Sequence, residues 1–129
     1  KRSRCQLNID FKTLMMMDSL EMGGNEIEQI IEACKNSTSN KIIITHGTDT
    51  ITKTAKALAI AELKDKTILL TGAMIPYAFG SSSDGFFNLG CALAYAQTLS
   101  PDVYITMQGQ YFLWNGVEKN KALGLFEQV

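Results

Sequence analysis

Charge of one sign is not in excess in this sequence. With 12 Lys plus Arg against 13 Asp plus Glu, the formal net charge is −1, so electrostatics supply no reason to expect nucleic acid or an anionic membrane as a partner. The basic start, Lys1-Arg2-Ser3-Arg4, is too short to alter that. Cysteine is scarce as well: Cys5, Cys34 and Cys91 are odd in number, widely spaced and outside any CxxC or Cys/His pattern. That argues against a metal or redox site and fits free thiols in a reducing compartment. No apolar run approaches the roughly 20 residues needed to span a bilayer, and the N-terminus lacks the apolar stretch of a secretory signal. The expectation is a cytoplasmic protein without cofactor or metal. A Gly-rich phosphate loop is missing too, which counts against a nucleotide-binding βαβ domain. Repeats, linkers and low-complexity tracts are also lacking.

What is present is a chain of 129 residues with 46% hydrophobic content, enough for one domain with its own core. The Lys-Ile-Ile-Ile-Thr run at Lys41–Thr45 suits a strand buried on both faces of a parallel sheet. From residue 50 the pattern changes: Ile51, Ala55, Leu58, Ala59 and Leu63 recur at helical spacing, predicting a helix over 50–63 with Lys53, Lys56 and Glu62 on the wet side. A second buried strand, Thr67–Thr71, runs into a loop marked by Gly72, Pro76 and Gly80. Ser83 or Asp84 can cap a following helix that points Phe87, Leu89, Ala92, Leu93 and Ala96 inward and stops near Pro101. The strand Val103–Met107 comes next. Upstream, residues 11–17 read as a strand, and Ile27, Ile30, Ile31 and Cys34 mark a helix over 26–35. Alternating strands and helices predict right-handed crossovers and a parallel sheet with helices on both faces. Residues 110–129 are the least readable.

Ligands of open α/β sheets bind beyond the carboxyl ends of the strands. Those ends carry Asp18-Ser19, His46-Gly47-Thr48-Asp49-Thr50, Thr71-Gly72-Ala73 and Gln108-Gly109. In the second, Gly47 permits a tight turn, and the three residues after it stand where a helix presents unpaired amides, a place suited to a carboxylate or an oxyanion. Any one of Thr48, Asp49 and Thr50 would also serve as an ordinary cap.

A cap does not need the entire His-Gly-Thr-Asp-Thr string, which resembles a signature of the L-asparaginase and glutaminase family. Met17-Asp18-Ser19-Leu20-Glu21-Met22 is similar to that family's substrate-binding segment. Leu70-Thr71-Gly72-Ala73-Met74-Ile75-Pro76 and Ser83-Asp84-Gly85-Phe86-Phe87-Asn88-Leu89 are similar to its next two motifs, in the same order and spacing. From about residue 11 to residue 126 the chain resembles the family's amino-terminal domain, most of all its short, single-domain members. The resemblance implies a Rossmann-like or flavodoxin-like α/β fold and hydrolysis of the side-chain amide of L-asparagine, or a related small amide, to the carboxylate and ammonia.

By the same resemblance, Thr48 and Asp49 correspond to a catalytic Thr and its Asp, and Lys119 to the Lys grouped with them, with Lys121 the close competitor. A hydroxyl is a weak nucleophile until a neighbouring base takes its proton, and a lysine desolvated in a crevice can serve as that base. Asp18 and Ser19 correspond to binders of the substrate's α-amino and α-carboxylate groups. Gly47 lines the same pocket, and Ala73 offers a backbone carbonyl near the leaving amide. His46, the single histidine, is not the family's base and is read as structural. Family members form dimers and tetramers, so a homo-oligomer acting on a small-molecule amide is implied.

The family's first motif, a Thr-Gly-Gly-Thr segment after an N-terminal strand, does not occur in these residues. The chain is therefore read as N-terminally incomplete, since loss of a central strand would expose its neighbours' edges. The alternative function is a catalytically impaired amino-acid-binding or regulatory module of the same fold.

Overall fold

A computed structural model describes residues 5–12, 14, 23–75 and 83–129. The elements in chain order are α1 (Gly24–Asn36), β1 (Lys41–Thr45), α2 (Ile51–Ile60), β2 (Thr67–Thr71), α3 (Gly85–Ala96), β3 (Val103–Met107), β4 (Gln110–Leu113), β5 (Val117–Asn120) and β6 (Leu125–Gln128). One sheet has the order β1-β2-β3-β4 and a second pairs β5 with β6. Strands β1, β2 and β3 run parallel, with Thr45 opposite Thr71 and Leu70 opposite Ile105. Strand β4 returns antiparallel along β3.

Alternation along the strands sends successive side chains to opposite faces. Ile68, Leu70, Ile105 and Met107 meet Ile51, Ala55 and Leu58 of α2 and the Ile27, Ile30, Ile31 and Cys34 stripe of α1. Leu69 and Tyr104 point the other way, onto Ala92 and Ala96 of α3. The sheet is thus covered on both sides, as expected, although β4 makes it mixed rather than purely parallel.

The expectation of right-handed crossovers fails for one connection. The path from β1 through α2 to β2, and then through α3 to β3, steps the same way across the sheet, yet α2 and α3 lie on opposite faces. Two such crossovers have opposite hands, so one of them is left-handed, against the strong general preference. The preference belongs to compact units.

Strand β1 is not buried on both faces. Its isoleucines are only half-buried, because among the described residues β1 has a sheet neighbour on one side alone. Strands β2 and β3 are buried throughout. Helix α1 starts earlier than residue 26, with the Glu26 carboxylate accepting the Gly23 amide at 3.2 Å, a recognised way to satisfy a helix start. Helix α2 ends at Ile60 rather than running to 63: Glu62 adopts a left-handed φ of 51°, which terminates a helix. Leu63 nevertheless packs on the core.

In α3 the inward stripe is Gly85, Asn88, Ala92 and Ala96, whereas Phe87 is 60% exposed. Small inward residues let the helix lie close to the sheet, so the largest apolar side chains were the wrong guide to its phase. The expected strand over 11–17 is not seen at Phe11 or Lys12, which are exposed and irregular, and Thr13 and residues 15–17 lie outside the described residues. Among the described residues, no helix is long and apolar enough to cross a membrane.

Candidate active site

Strand β1 delivers His46 to the end of the sheet, where its amide donates to the Thr71 carbonyl at 2.8 Å and continues the ladder by one step. The neighbouring strand must pass very close here. A Cβ on Gly72 would lie 2.2 Å from the His46 carbonyl oxygen and 3.4 Å from Thr48 Cγ2, so only glycine fits. Chain direction then changes within residues 46–50, and α2 begins.

His46 is tied down at both ring nitrogens: Nδ1 is 2.7 Å from the Gly47 carbonyl and Nε2 is 2.8 Å from Thr54 Oγ1. A carbonyl can only accept, so Nδ1 carries the proton and Nε2 accepts from the Thr54 hydroxyl. Burial holds the ring's pKa below the usual histidine value, against the opposing pull of the Gly47 carbonyl. A neutral, doubly engaged imidazole is poorly placed to act as a base, and it fixes the turn that presents Thr48 and Asp49.

Thr48 and Asp49 precede the N-cap residue Thr50, and their side chains turn to a lysine 70 residues away rather than capping α2. Lys119 Nζ donates to Thr48 Oγ1 at 2.8 Å and to Asp49 Oδ1 at 2.8 Å. The Lys119 side chain is only 16% exposed and that of Asp49 31%. The hydrogen bond from Lys119, and then its charge, hold the Asp49 carboxyl below its usual pKa, so Asp49 is ionised at neutral pH. With its carboxylate side open to solvent, the ion pair adds little stability; its effect is to fix Nζ beside a hydroxyl. Lys121, the competing lysine, is exposed and acts on Asp49 only as a more distant charge.

The end of β2 is shaped from α3. Asp84 occupies the N-cap position of α3 but makes no side-chain cap bond. Its carboxylate accepts the amides of Met74 at 3.1 Å and Ile75 at 2.9 Å instead, while Ser83 Oγ accepts the Gly85 amide at 3.1 Å. Burial raises the Asp84 pKa, but these amide bonds and the Asn88 side chain outweigh it and leave the carboxyl below its usual value. Asn88, with no exposed surface, donates from Nδ2 to the Gly72 carbonyl at 2.8 Å and accepts the Gln108 amide at Oδ1 at 3.2 Å.

Of the residues singled out in the sequence, Thr48, Asp49 and Lys119 are brought together, and Gly47 lies in the same turn. Ala73 follows Gly72 in the loop after β2 and is half-buried. Asp18 and Ser19 lie outside the described residues. Asn88 and Gln108 stand in the segments named above without a role; polarity beside an apolar run was the available signal for Asn88, and Gln108 carried none. Among the described residues no group of three or more His, Cys, Asp or Glu could hold a metal ion.

Residues 2–126 match the family described as Asparaginase, N-terminal. The L-asparaginase of Thermococcus kodakarensis is 32% identical over 120 residues, which covers 92% of this chain and 34% of the relative. The glutaminase-asparaginase of Acinetobacter glutaminasificans is 35% identical over 94 residues, covering 70% of this chain and 28% of the relative. A solved structure of the thermostable L-asparaginase from Thermococcus kodakarensis superposes with a TM-score of 0.83 at 26% identity, across 95% of this chain and 38% of that one. The chain thus spans about a third of the length of these relatives. A family match across nearly all of its residues, together with the common fold, establishes that this chain belongs to the asparaginase family and corresponds to its amino-terminal domain.

Proposed function

We propose that this chain contributes a Thr-Lys-Asp grouping to the hydrolysis of the side-chain amide of L-asparagine, or a related small amide, to the carboxylate and ammonia. The observation that carries this reading is the position of Lys119 Nζ, 2.8 Å from both Thr48 Oγ1 and Asp49 Oδ1.

Amide hydrolysis needs a nucleophile made competent by proton removal and a proton for the leaving nitrogen. As an ammonium, Lys119 donates to both oxygens. As a neutral amine, its lone pair takes the Thr48 proton while the hydroxyl oxygen adds to the amide carbonyl. The same proton is then handed to the departing nitrogen, which leaves as ammonia, and water releases the acid from Thr48. Asp49 stays anionic throughout, orients Nζ and offers a carboxylate to the ammonium of an amino-acid substrate. Asp18, Ser19, Gly47 and the Ala73 carbonyl are assigned to holding that substrate.

Support comes from the family and from relatives named as L-asparaginase and glutaminase-asparaginase. The test is ammonia release from L-asparagine and from L-glutamine by the protein and its variants. Thr48→Ala and Lys119→Ala are expected to abolish release, and His46→Gln to retain it. Aspartate raising the melting temperature with no ammonia released by the unsubstituted protein would instead assign an amino-acid-binding module.

A further inference from the structure

Lys119 sits on β5, one strand of a hairpin that is not hydrogen-bonded into the main sheet. Such a two-stranded ribbon is marginal by itself, yet Nζ must be held to within a fraction of an ångström for the contacts with Thr48 and Asp49 to persist. Something has to lock the hairpin to the strand ends.

Burial supplies part of the hold, since Val117 and Phe126 belong to the main core; the polar part comes from one side chain. Gln108, the residue after β3, donates from Nε2 to the Phe126 carbonyl and accepts the Phe126 amide at Oε1 at 2.9 Å. Phe126 is the cross-strand partner of Lys119, and its own ring is completely buried. The two ends of one carboxamide thus grip the backbone directly opposite the lysine. Gln108 is in turn fixed from behind, because its amide donates to the buried Asn88 carboxamide, which also holds the Gly72 carbonyl beside Thr48. Gln108 adopts a left-handed φ of 48° and is an exposed residue, so it is not a core-packing residue. Its Nε2 also donates to Gln110 Oε1 at 3.3 Å, two residues on, so the bonds to Phe126 are the ones that reach the hairpin.

We propose that Gln108 is a positioning residue for Lys119, clamping the β5–β6 hairpin so that Nζ stays on Thr48 and Asp49. The inference rests on the amide-hydrolysis reading for its catalytic consequence, but not for its geometric one.

The test uses two substitutions and a readout that needs no activity. Gln108→Asn keeps a residue that tolerates the left-handed turn but is one methylene too short to reach Phe126. Gln108→Glu keeps the acceptor and loses the donor. The Asp49 carboxyl is followed by NMR titration in the unsubstituted protein and both variants. Both are expected to let Asp49 titrate at higher pH, as is Lys119→Ala, with thermal stability little changed by Gln108→Asn. In an enzyme that releases ammonia, kcat falls about tenfold or more while KM changes less. If either folded variant leaves the Asp49 titration where it was, or moves it without lowering kcat, the clamp is wrong. Absence of ammonia release from the unsubstituted protein would instead defeat the functional reading, and the Asp49 titration would still decide the clamp.

Discussion

The carboxamide of Asn88, on α3, donates to the carbonyl of Gly72, at the end of β2, across 2.8 Å with no solvent access on the Asn88 side. Its oxygen meanwhile accepts the amide that follows β3, so one buried side chain joins the ends of two strands that both border the site. Truncation leaves a carbonyl and an amide unsatisfied in an enclosed place. Asn88→Ala is expected to cost about 2 kcal/mol or more, read as the fall in unfolding free energy in urea. An unchanged midpoint would mean that water replaces the carboxamide freely.

Gly72 makes a separate prediction. Because an added Cβ would press on the His46 carbonyl at 2.2 Å, and that partner is backbone rather than a yielding side chain, β1 and β2 must separate at their carboxyl ends. Gly72→Ala is expected to destabilise by about 3 kcal/mol and to weaken activity beyond its effect on stability, since Thr48 lies in the displaced turn. Equal activity at temperatures where both proteins are folded would refute the second part.

His46 gives the molecule a defined acid sensitivity. Its folded pKa lies below the unfolded value because burial disfavours the charged ring. Between those two values the unfolded chain binds more protons, so stability is complete above the unfolded pKa, about 6.5, and declines as pH falls below it. Melting temperatures recorded from pH 7.5 down to 5.5 should fall more steeply for the natural sequence than for His46→Gln, which does not titrate. Parallel slopes would show that the ring is not the group responsible.

The hydroxyl of Thr106 is buried with no hydrogen-bond partner among the described residues. A buried donor left unmade is a cost that an isosteric methyl removes. Thr106→Val should therefore raise the unfolding free energy by about 1 kcal/mol, measurable in the same urea titration. A loss of stability would mean that the hydroxyl has a partner after all.

Much of the sheet was legible because its inner strands are short apolar runs cut off by turn residues: Lys41–Thr45, Thr67–Thr71 and Val103–Met107 appear with the bounds read from the sequence. Strand type was easier to read than surroundings, since Ile42 to Ile44 look the same on paper whether one or two neighbours pair with them. The phase of α3 was read correctly at Ala92 and Ala96 but not at its start, where Asn88, a polar residue, faces inward while Phe87 stays out. The strands β4, β5 and β6, of four residues each, are too short and too mixed in polarity to announce themselves. Residues 46–50 stood out by their place between a strand and a helix, whereas Lys119 was reached through family resemblance alone, being one of several charges in its stretch. The part played by Gln108 had no such trace, since its partners are backbone groups of Phe126, and backbone partners leave no mark on residue identity.

Thr48 and Lys119 meet across 71 positions of sequence. Closing so long a span carries a chain-entropy cost that contacts along the way must offset, and the grouping comes into being only as β5 docks. During synthesis the threonine and aspartate emerge well before the lysine, so the nascent chain holds the turn of residues 46–50 before it holds the hairpin that completes the grouping. Because Lys119 lies on a hairpin outside the main sheet, opening of that hairpin alone would part it from Thr48 and Asp49 while the sheet beneath stays folded.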